Sequence, residues 1–192
     1  KGAKWGVVVV SLTRGDTLYG RGTDEQLLPA STMKLFTSAV VLDRFGAAGR
    51  FETEVLRSGA VGTDGLMRGD LILRGAGDPT LTGRASDSTG LAPMESLARQ
   101  VALTGIKRVS GAVVGDASAF DDGRVPDGWR KRYLHASYAA RVSALSFNEN
   151  KATMVVRPAG GRAEISFHPA ISGLPLLNEV RDASGVAVGK GR

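Results

Sequence analysis

Two residues in the segment LLPASTMKLF, Ser31 and Lys34, have the side chains and the spacing of a nucleophile and its base. Residues three apart on a helix are neighbours, so the lysine amine can reach the serine hydroxyl. A lysine accepts a proton only in its neutral form, which burial or a neighbouring cation favours. A serine at a helix N-terminus also faces free backbone N–H groups, which stabilise an oxyanion. The segment therefore offers the chemistry of acyl transfer.

The same pattern has a simpler interpretation. Ser-x-x-Lys is short enough to occur in many helices by chance. Ser31 would then cap a free backbone N–H at the start of an ordinary helix, and Lys34 would point into solvent. The four residues alone leave both interpretations open, and the rest of the chain has to decide between them.

The sequence gives little support for other kinds of catalytic centre. The chain has no cysteine, which excludes disulfides and thiolate chemistry. A Ser-His-Asp triad would need His135 or His168, and neither is marked out by its surroundings. Two histidines without cysteine do not predict a zinc site, although the aspartates leave a calcium site open. We therefore predict no cofactor and no catalytic metal.

A glycine-containing segment, RGAGDP, resembles part of a phosphate-binding loop but lacks the Gly-Lys-Ser/Thr that would follow it. We interpret it as a turn, with Gly75 and Gly77 at positive φ and Asp78-Pro79 starting the turn.

Composition limits the class of protein. The 192 residues, 42% of them hydrophobic, are enough for one domain or two small ones. The net charge of +6 comes from 25 basic residues scattered among 19 acidic ones. The densest basic cluster, GWRKRYLH, contains only Trp129 and Tyr133 as aromatic residues, so we expect a solvated surface or a wall contact and no nucleic-acid partner. No apolar run approaches the ~18 residues of a membrane span, and the start does not have the pattern of a signal peptide.

The elements that would position Ser31 and Lys34 follow from local patterns. Two β-rich runs joined by TRGD predict a hairpin with its turn at Gly15-Asp16. Apolar residues at spacings of three and four then predict a helix over about residues 31–45, ended by Gly46. From residue 50 the chain changes to strands with glycine-rich turns, among them LMRGDLILRG, and one helix, APMESLARQVALTG. We also expect SALSFNENKATMVVRPAGG to be a strand that is broken at Asn-Glu-Asn, with SALSFNEN as its first part. The fold class is α/β (α+β).

Several segments resemble one family in their order along the chain: PASTMKLFTSAVVLDRFG, GDLILRGAGDPTL, VSGAVVGDASAFDD and ARVSALSFNEN. They are similar to the class C low-molecular-weight penicillin-binding proteins, the D-alanyl-D-alanine carboxypeptidase/endopeptidase family. The resemblance implies a serine β-lactamase/transpeptidase-like catalytic domain that is interrupted by a strand-rich accessory insertion. Residues 1–50 would be the N-terminal part of that catalytic domain, and residues 51–192 would be the insertion, with one or two subdomains.

The resemblance also implies an activity. Ser31 would attack the carbonyl between the two D-alanines of a peptidoglycan stem peptide, Lys34 would be its general base, and β-lactams would acylate the same serine. Such an enzyme is exported to the periplasm, the cell wall or the outside of the cell.

Two family motifs are not found as expected. The chain contains no Lys-Thr-Gly. Its Ser-x-Asn, Ser146-Phe147-Asn148, lies in a segment that in the family belongs to the insertion, so we interpret it as a decoy. The resemblance therefore covers only the N-terminal portion of the enzyme. Either a C-terminal fragment of the same precursor supplies the missing motifs, or the sequence is a piece of a longer chain that carries them.

Two other functions remain open on the sequence. The strand-rich part could be a non-catalytic module that binds the cell wall or a protein partner, which would agree with the missing motifs and the positive charge. The chain could also belong to an esterase or β-lactamase of the same superfamily, although such enzymes lack the insertion.

Overall fold

The protein, described by a computed structural model, forms two compact units, Lys1–Arg50 and Phe51–Arg192. The division lies where the sequence changes from the predicted helix to strands with glycine-rich turns. The functional assignment of the two parts stays a prediction. The residues that the structure describes are 2–83, 91–159, 162–171, 173 and 175–180. Within these residues, the helices are too short or too polar to cross a membrane.

The first unit begins with the predicted hairpin. Strands β1 (Val7–Val10) and β2 (Thr17–Arg21) pair antiparallel, and Val9 lies opposite Tyr19. Gly15 lies in the connecting turn at φ 75°, a conformation that glycine adopts without steric cost. The β-branched run and the glycine turn thus fold as the sequence predicts.

The predicted helix over residues 31–45 is also confirmed, with a tighter first turn. A 3₁₀ turn, Ala30–Thr32, leads into helix α1, Met33–Phe45. Gly46 follows the helix at φ 69°, and its N–H donates to the Leu42 carbonyl at 2.9 Å. Glycine ends the helix because it takes the positive φ that other residues avoid.

The apolar side chains of the first unit are exposed. Every described residue of this unit is exposed except Ser11, which is half-buried. Leu28 is 96% exposed, Leu35 72% and Phe36 68%. Burying a side chain of this size contributes about 1.5–3 kcal/mol, so this unit has a large unused capacity for packing against further polypeptide.

The second unit is a set of small sheets with one helix. In chain order the elements are β3 (Thr53–Arg57), β4 (Leu66–Met67), β5 (Leu71–Gly75), α2 (Ala92–Leu103), β6 (Arg108–Val109), β7 (Val113–Asp116), β8 (Thr153–Ala159) and β9 (Arg162–His168). Strands β3, β5 and β7 form a three-stranded sheet, with β3 antiparallel and β7 parallel to the central β5. Strands β4 and β6 form a parallel pair, and β8 and β9 form an antiparallel hairpin.

An ionic ladder crosses the three-stranded sheet. Arg74 lies opposite Glu54 on one side and Asp116 on the other. Its guanidinium reaches the Glu54 carboxylate at 3.5 Å and the Asp116 carboxylate at 3.3 Å. Opposite charges on directly paired residues support the register of a sheet.

Residues with little exposed surface include Met67, Ile106, Ala139 and Ala144.

Three expectations for this unit need correction. The run LMRGDLILRG forms two strands of different sheets, because Gly69 interrupts it at φ 140°. The segment SALSFNEN is not a strand: three consecutive residues, Asn148, Glu149 and Asn150, have φ between 50° and 57° and form a turn.

Gly75 and Gly77 were both expected at positive φ, but only Gly77 has it, at 87°. Gly75 is needed because a Cβ there would lie 2.3 Å from the carbonyl oxygen of Ala144.

Candidate active site

Ser31 and Lys34 lie side by side at the start of α1. The Lys34 Nζ donates a hydrogen bond to the Ser31 Oγ at 3.1 Å. Ser31 belongs to the 3₁₀ turn and Lys34 to the first turn of the α-helix. Three residues per turn place side chains i and i+3 almost directly above one another, so the 3₁₀ turn brings the two groups into register.

The Ser31 hydroxyl does not cap the helix. Neither the 3₁₀ turn nor α1 has a side-chain hydrogen bond at its N-cap, and those N-cap residues are Pro29 and Thr32. The hydroxyl of Thr32 donates to the Pro29 carbonyl. The Ser31 oxygen instead accepts a hydrogen bond from the Lys34 amine. This places the amine within reach of the hydroxyl proton, as a serine nucleophile and its base require.

The residue before the serine has an unusual backbone. Ala30 has φ 46°, in the left-handed region that non-glycine residues seldom adopt. Such a conformation costs on the order of 1–2 kcal/mol. Strained residues concentrate at functional sites, and this one sets the direction in which the Ser31 side chain leaves the turn. Nothing in the sequence of this segment indicated the strain.

The Ser31–Lys34 pair lies on the surface of the first unit. Both Ser31 and Lys34 are exposed, whereas a lysine base needs burial or a neighbouring cation to favour its neutral form. The described residues hold no group of three or more histidine, cysteine, aspartate or glutamate side chains that could bind a metal ion.

The Ser-x-Asn sequence, Ser146-Phe147-Asn148, stabilises a turn of the second unit. Ser146 Oγ donates to the Ser143 carbonyl at 2.8 Å and accepts from Asn150 Nδ2 at 3.0 Å. Asn148 Nδ2 donates to the Lys151 carbonyl at 2.7 Å. These contacts give the two side chains a structural role, and their exclusion from the catalytic centre stays a prediction.

Two carboxyl groups away from the pair have shifted titration. Hydrogen bonds from the Arg14 guanidinium lower the pKa of Asp16 in the hairpin turn. The pKa of Asp116 is lowered by hydrogen bonds from Ser118 and, to a smaller extent, by Arg74. The Ser118 N–H donates to the Asp116 carboxylate at 2.9 Å. The hydrogen bonds that cause both shifts are local, within two residues of each aspartate for Arg14 and Ser118.

The fold is similar to part of a solved structure. The structure superposes on penicillin binding protein 4 of Haemophilus influenzae with a TM-score of 0.70 at 24% identity, over 90% of this chain and 36% of that one. A second structure of that protein, complexed with a β-lactam, matches with a TM-score of 0.59 at 22% identity, over 90% of this chain and 33% of that one. These likenesses show that the chain has the fold of part of that protein.

The chain belongs to the D-Ala-D-Ala carboxypeptidase 3 (S13) family, whose model matches residues 1–188. It is 39% identical over 187 residues to the D-alanyl-D-alanine carboxypeptidase of Actinomadura sp., a match that covers 97% of this chain and 32% of that protein. The chain thus spans about a third of the length of this relative. The family and the fold that the sequence motifs implied are confirmed.

Proposed function

We propose that this chain contributes the nucleophile of a serine-type D-Ala-D-Ala carboxypeptidase or endopeptidase that acts on peptidoglycan stem peptides. The observation that carries the proposal is the hydrogen bond from Lys34 Nζ to Ser31 Oγ at the start of α1. Membership of the carboxypeptidase family supports the reaction class. The substrate would be a peptide that ends in D-Ala-D-Ala.

The reaction would proceed in two steps. Neutral Lys34 takes the hydroxyl proton while Ser31 Oγ bonds to the carbonyl carbon of the penultimate D-alanine. The bond from that carbon to nitrogen then breaks, the terminal D-alanine leaves with a proton on its amine, and an ester to Ser31 remains. Water hydrolyses the ester and restores the hydroxyl. A β-lactam would form the same ester through its ring amide, and the complex of the Haemophilus influenzae protein with a β-lactam supports this part of the proposal.

The remaining catalytic groups would lie outside these 192 residues. A Lys-Thr-Gly motif is absent from the sequence, and Lys34 lacks the burial that favours a neutral amine. We infer that further polypeptide, on the same chain or on a fragment of the same precursor, covers α1 and completes the centre. Relatives three times as long agree with this inference, and an exported location follows from the proposed substrate.

A covalent labelling experiment tests the proposal. The protein, supplied with the rest of its catalytic domain, is incubated with a labelled penicillin, digested and mapped by mass spectrometry. We expect the label on Ser31 and its loss in Ser31→Ala. Ser38→Ala is the matched control, because it removes another exposed hydroxyl from the same helix and should keep the label. Label on any other residue would refute the assignment of the nucleophile.

The same experiment separates the proposal from a non-catalytic wall-binding role. A wall-binding module would retain binding to purified cell wall in Ser31→Ala and would show no acylation in the unsubstituted protein.

A further inference from the structure

The second unit contains a cavity of about 630 Å³ that the proposed acyl transfer does not use. Its volume falls within the ~300–1,000 Å³ of small-molecule sites. Both histidines of the chain line it, together with Lys151, Ser137, Thr153 and Asn148. None of the residues described as lining the cavity is an acid. A polar cavity lined by cationic and proton-donating side chains, without a carboxylate, favours an anionic occupant over a cation.

One wall of the cavity is the open end of the β8–β9 hairpin. Thr153 and His168 are directly paired across these two strands, and side chains of such a pair on one face lie about 5 Å apart at Cβ. Lys151 is two residues before Thr153 and has extended backbone, with φ −123° and ψ 146°. Residues two apart in extended chain share a face, so the ammonium, hydroxyl and imidazole groups converge on one side of the hairpin.

A turn held in a costly conformation forms the rim. Three consecutive non-glycine residues, Asn148 to Asn150, have positive φ, at on the order of 1–2 kcal/mol each. The turn is fixed from outside: the Asn148 N–H donates to the Leu81 carbonyl at 3.0 Å, and the Thr82 hydroxyl donates to the Asn148 Oδ1 at 3.3 Å. The cavity is therefore a preformed feature, which reduces the ordering that a ligand would have to impose.

A second segment that lines the cavity, His135–Ser137, lies next to positive charge in the sequence. His135 follows the basic segment Arg130–Arg132, in which Arg132 stacks over the Tyr133 ring at 4.8 Å. One acid opposes the charge: Glu149, on the turn, forms an ion pair with Lys151. Clustered positive charge raises the local concentration of anions, and the Glu149 carboxylate competes for the same ammonium.

We propose that this cavity binds a small anionic group, a carboxylate or a phosphate, through His135, His168 and Lys151. Both kinds of group are acceptors with several oxygens, and all three side chains can donate to them. The ligand could carry its anion as a peptide carboxylate or as a phosphate of an envelope polymer. The site lies in the second unit, so it is a binding function additional to the reaction at Ser31.

Histidine NMR tests the proposal, because the chain has only two histidines. The full 192-residue chain is titrated with inorganic phosphate in one arm and with acetate in the other. We expect saturable shifts of both imidazole signals, and the arm that saturates at lower concentration identifies the preferred anion. Shifts in neither arm would overturn the proposal.

Three variants test the direction of the effect on anion binding and the location of the site. Lys151→Gln should weaken anion binding about tenfold, as expected for one lost hydrogen bond to a charged group. Glu149→Gln should strengthen binding, because it releases Lys151 from its ion pair. Lys107→Gln, an exposed lysine that does not line the cavity, should leave binding unchanged. Weaker binding in Glu149→Gln, or equal losses in Lys107→Gln and Lys151→Gln, would contradict the site. Penicillin labelling of Ser31 should be unaffected in all three variants, so failure here is distinguishable from failure of the proposed function.

Discussion

Replacing Lys34 separates its proposed role as a base from any role in stability. The Lys34 Nζ lies 3.1 Å from the Ser31 Oγ, and loss of a positioned general base typically slows a reaction by ~10²–10⁴-fold. At about 1.36 kcal/mol per tenfold, Lys34→Ala should raise the activation free energy of acylation by roughly 3–5.5 kcal/mol. The free energy of unfolding should change by only a few tenths of a kcal/mol or so, since an exposed helical lysine gives way to the best helix former.

The assay is the second-order rate constant for acylation by a fluorescent penicillin, measured on the protein supplied with the rest of its catalytic domain. Lys34→Arg distinguishes a base from a cation, because a guanidinium keeps the charge and cannot be deprotonated in proteins. Arg44→Ala is the matched control: it removes a cation from the same helix, ten residues or about 15 Å further along its axis.

We expect both Lys34 variants to lose acylation and Arg44→Ala to retain it. A Lys34→Ala protein that acylates within about tenfold of the unsubstituted rate would refute the base assignment. Full activity in Lys34→Arg would show that only the charge is needed.

Further predictions concern the backbone and the pH dependence. Gly75→Ala should lower the free energy of unfolding by about 1–3 kcal/mol, because the new Cβ would lie 2.3 Å from a carbonyl oxygen. Gly115→Ala is the control in urea denaturation, because its Cβ would meet a movable leucine methyl at 3.2 Å. Equal losses of stability in the two variants would contradict this prediction. Ala30→Val should reduce acylation of the serine that follows it, because a β-branched residue avoids φ 46°, whereas Ala30→Gly should keep it; similar rates in both would show that the strain is irrelevant. The lowered pKa of Asp116 means that its contribution to stability is present above the ordinary value of 3.8 and is lost as the pH falls through the folded pKa. Acid unfolding of Asp116→Asn should lack this component, and an unchanged acid limb would count against it.

Local sequence signals predicted the first unit well. The hairpin depends on Gly15 and the end of α1 on Gly46, and both glycines have the positive φ that their positions in the sequence suggest. The contact between Ser31 and Lys34 follows from three-residue spacing on a helical turn. Each of these features depends on residues within a few positions of one another, which is the range over which sequence patterns are informative.

The second unit was less predictable because its pairings are long-range. Strand β4 pairs with β6 and β5 with β7, each partner about 40 residues further along the chain. The run containing both β4 and β5 reads as one strand until these partners are known. The cavity of the second unit could not be predicted for the same reason, since the residues that line it come from segments between residues 83 and 168. The turn at Asn148 has no glycine to mark it, and the asparagine side chains supply the hydrogen bonds that hold it.

The exposed apolar surface of the first unit connects its folding to its chemistry. A helix that is apolar on several sides belongs in a protein core, and α1 carries exposed apolar side chains both at Phe36 and Val40 and at Leu35 and Leu42. Polypeptide that packs on these side chains would also remove water from Lys34, which is one turn or less from Leu35 and Phe36 on the same helix. Loss of water favours the neutral amine that the proposed reaction needs. Packing of α1 and activation of Ser31 are therefore expected to occur together, because the same covering residues produce both.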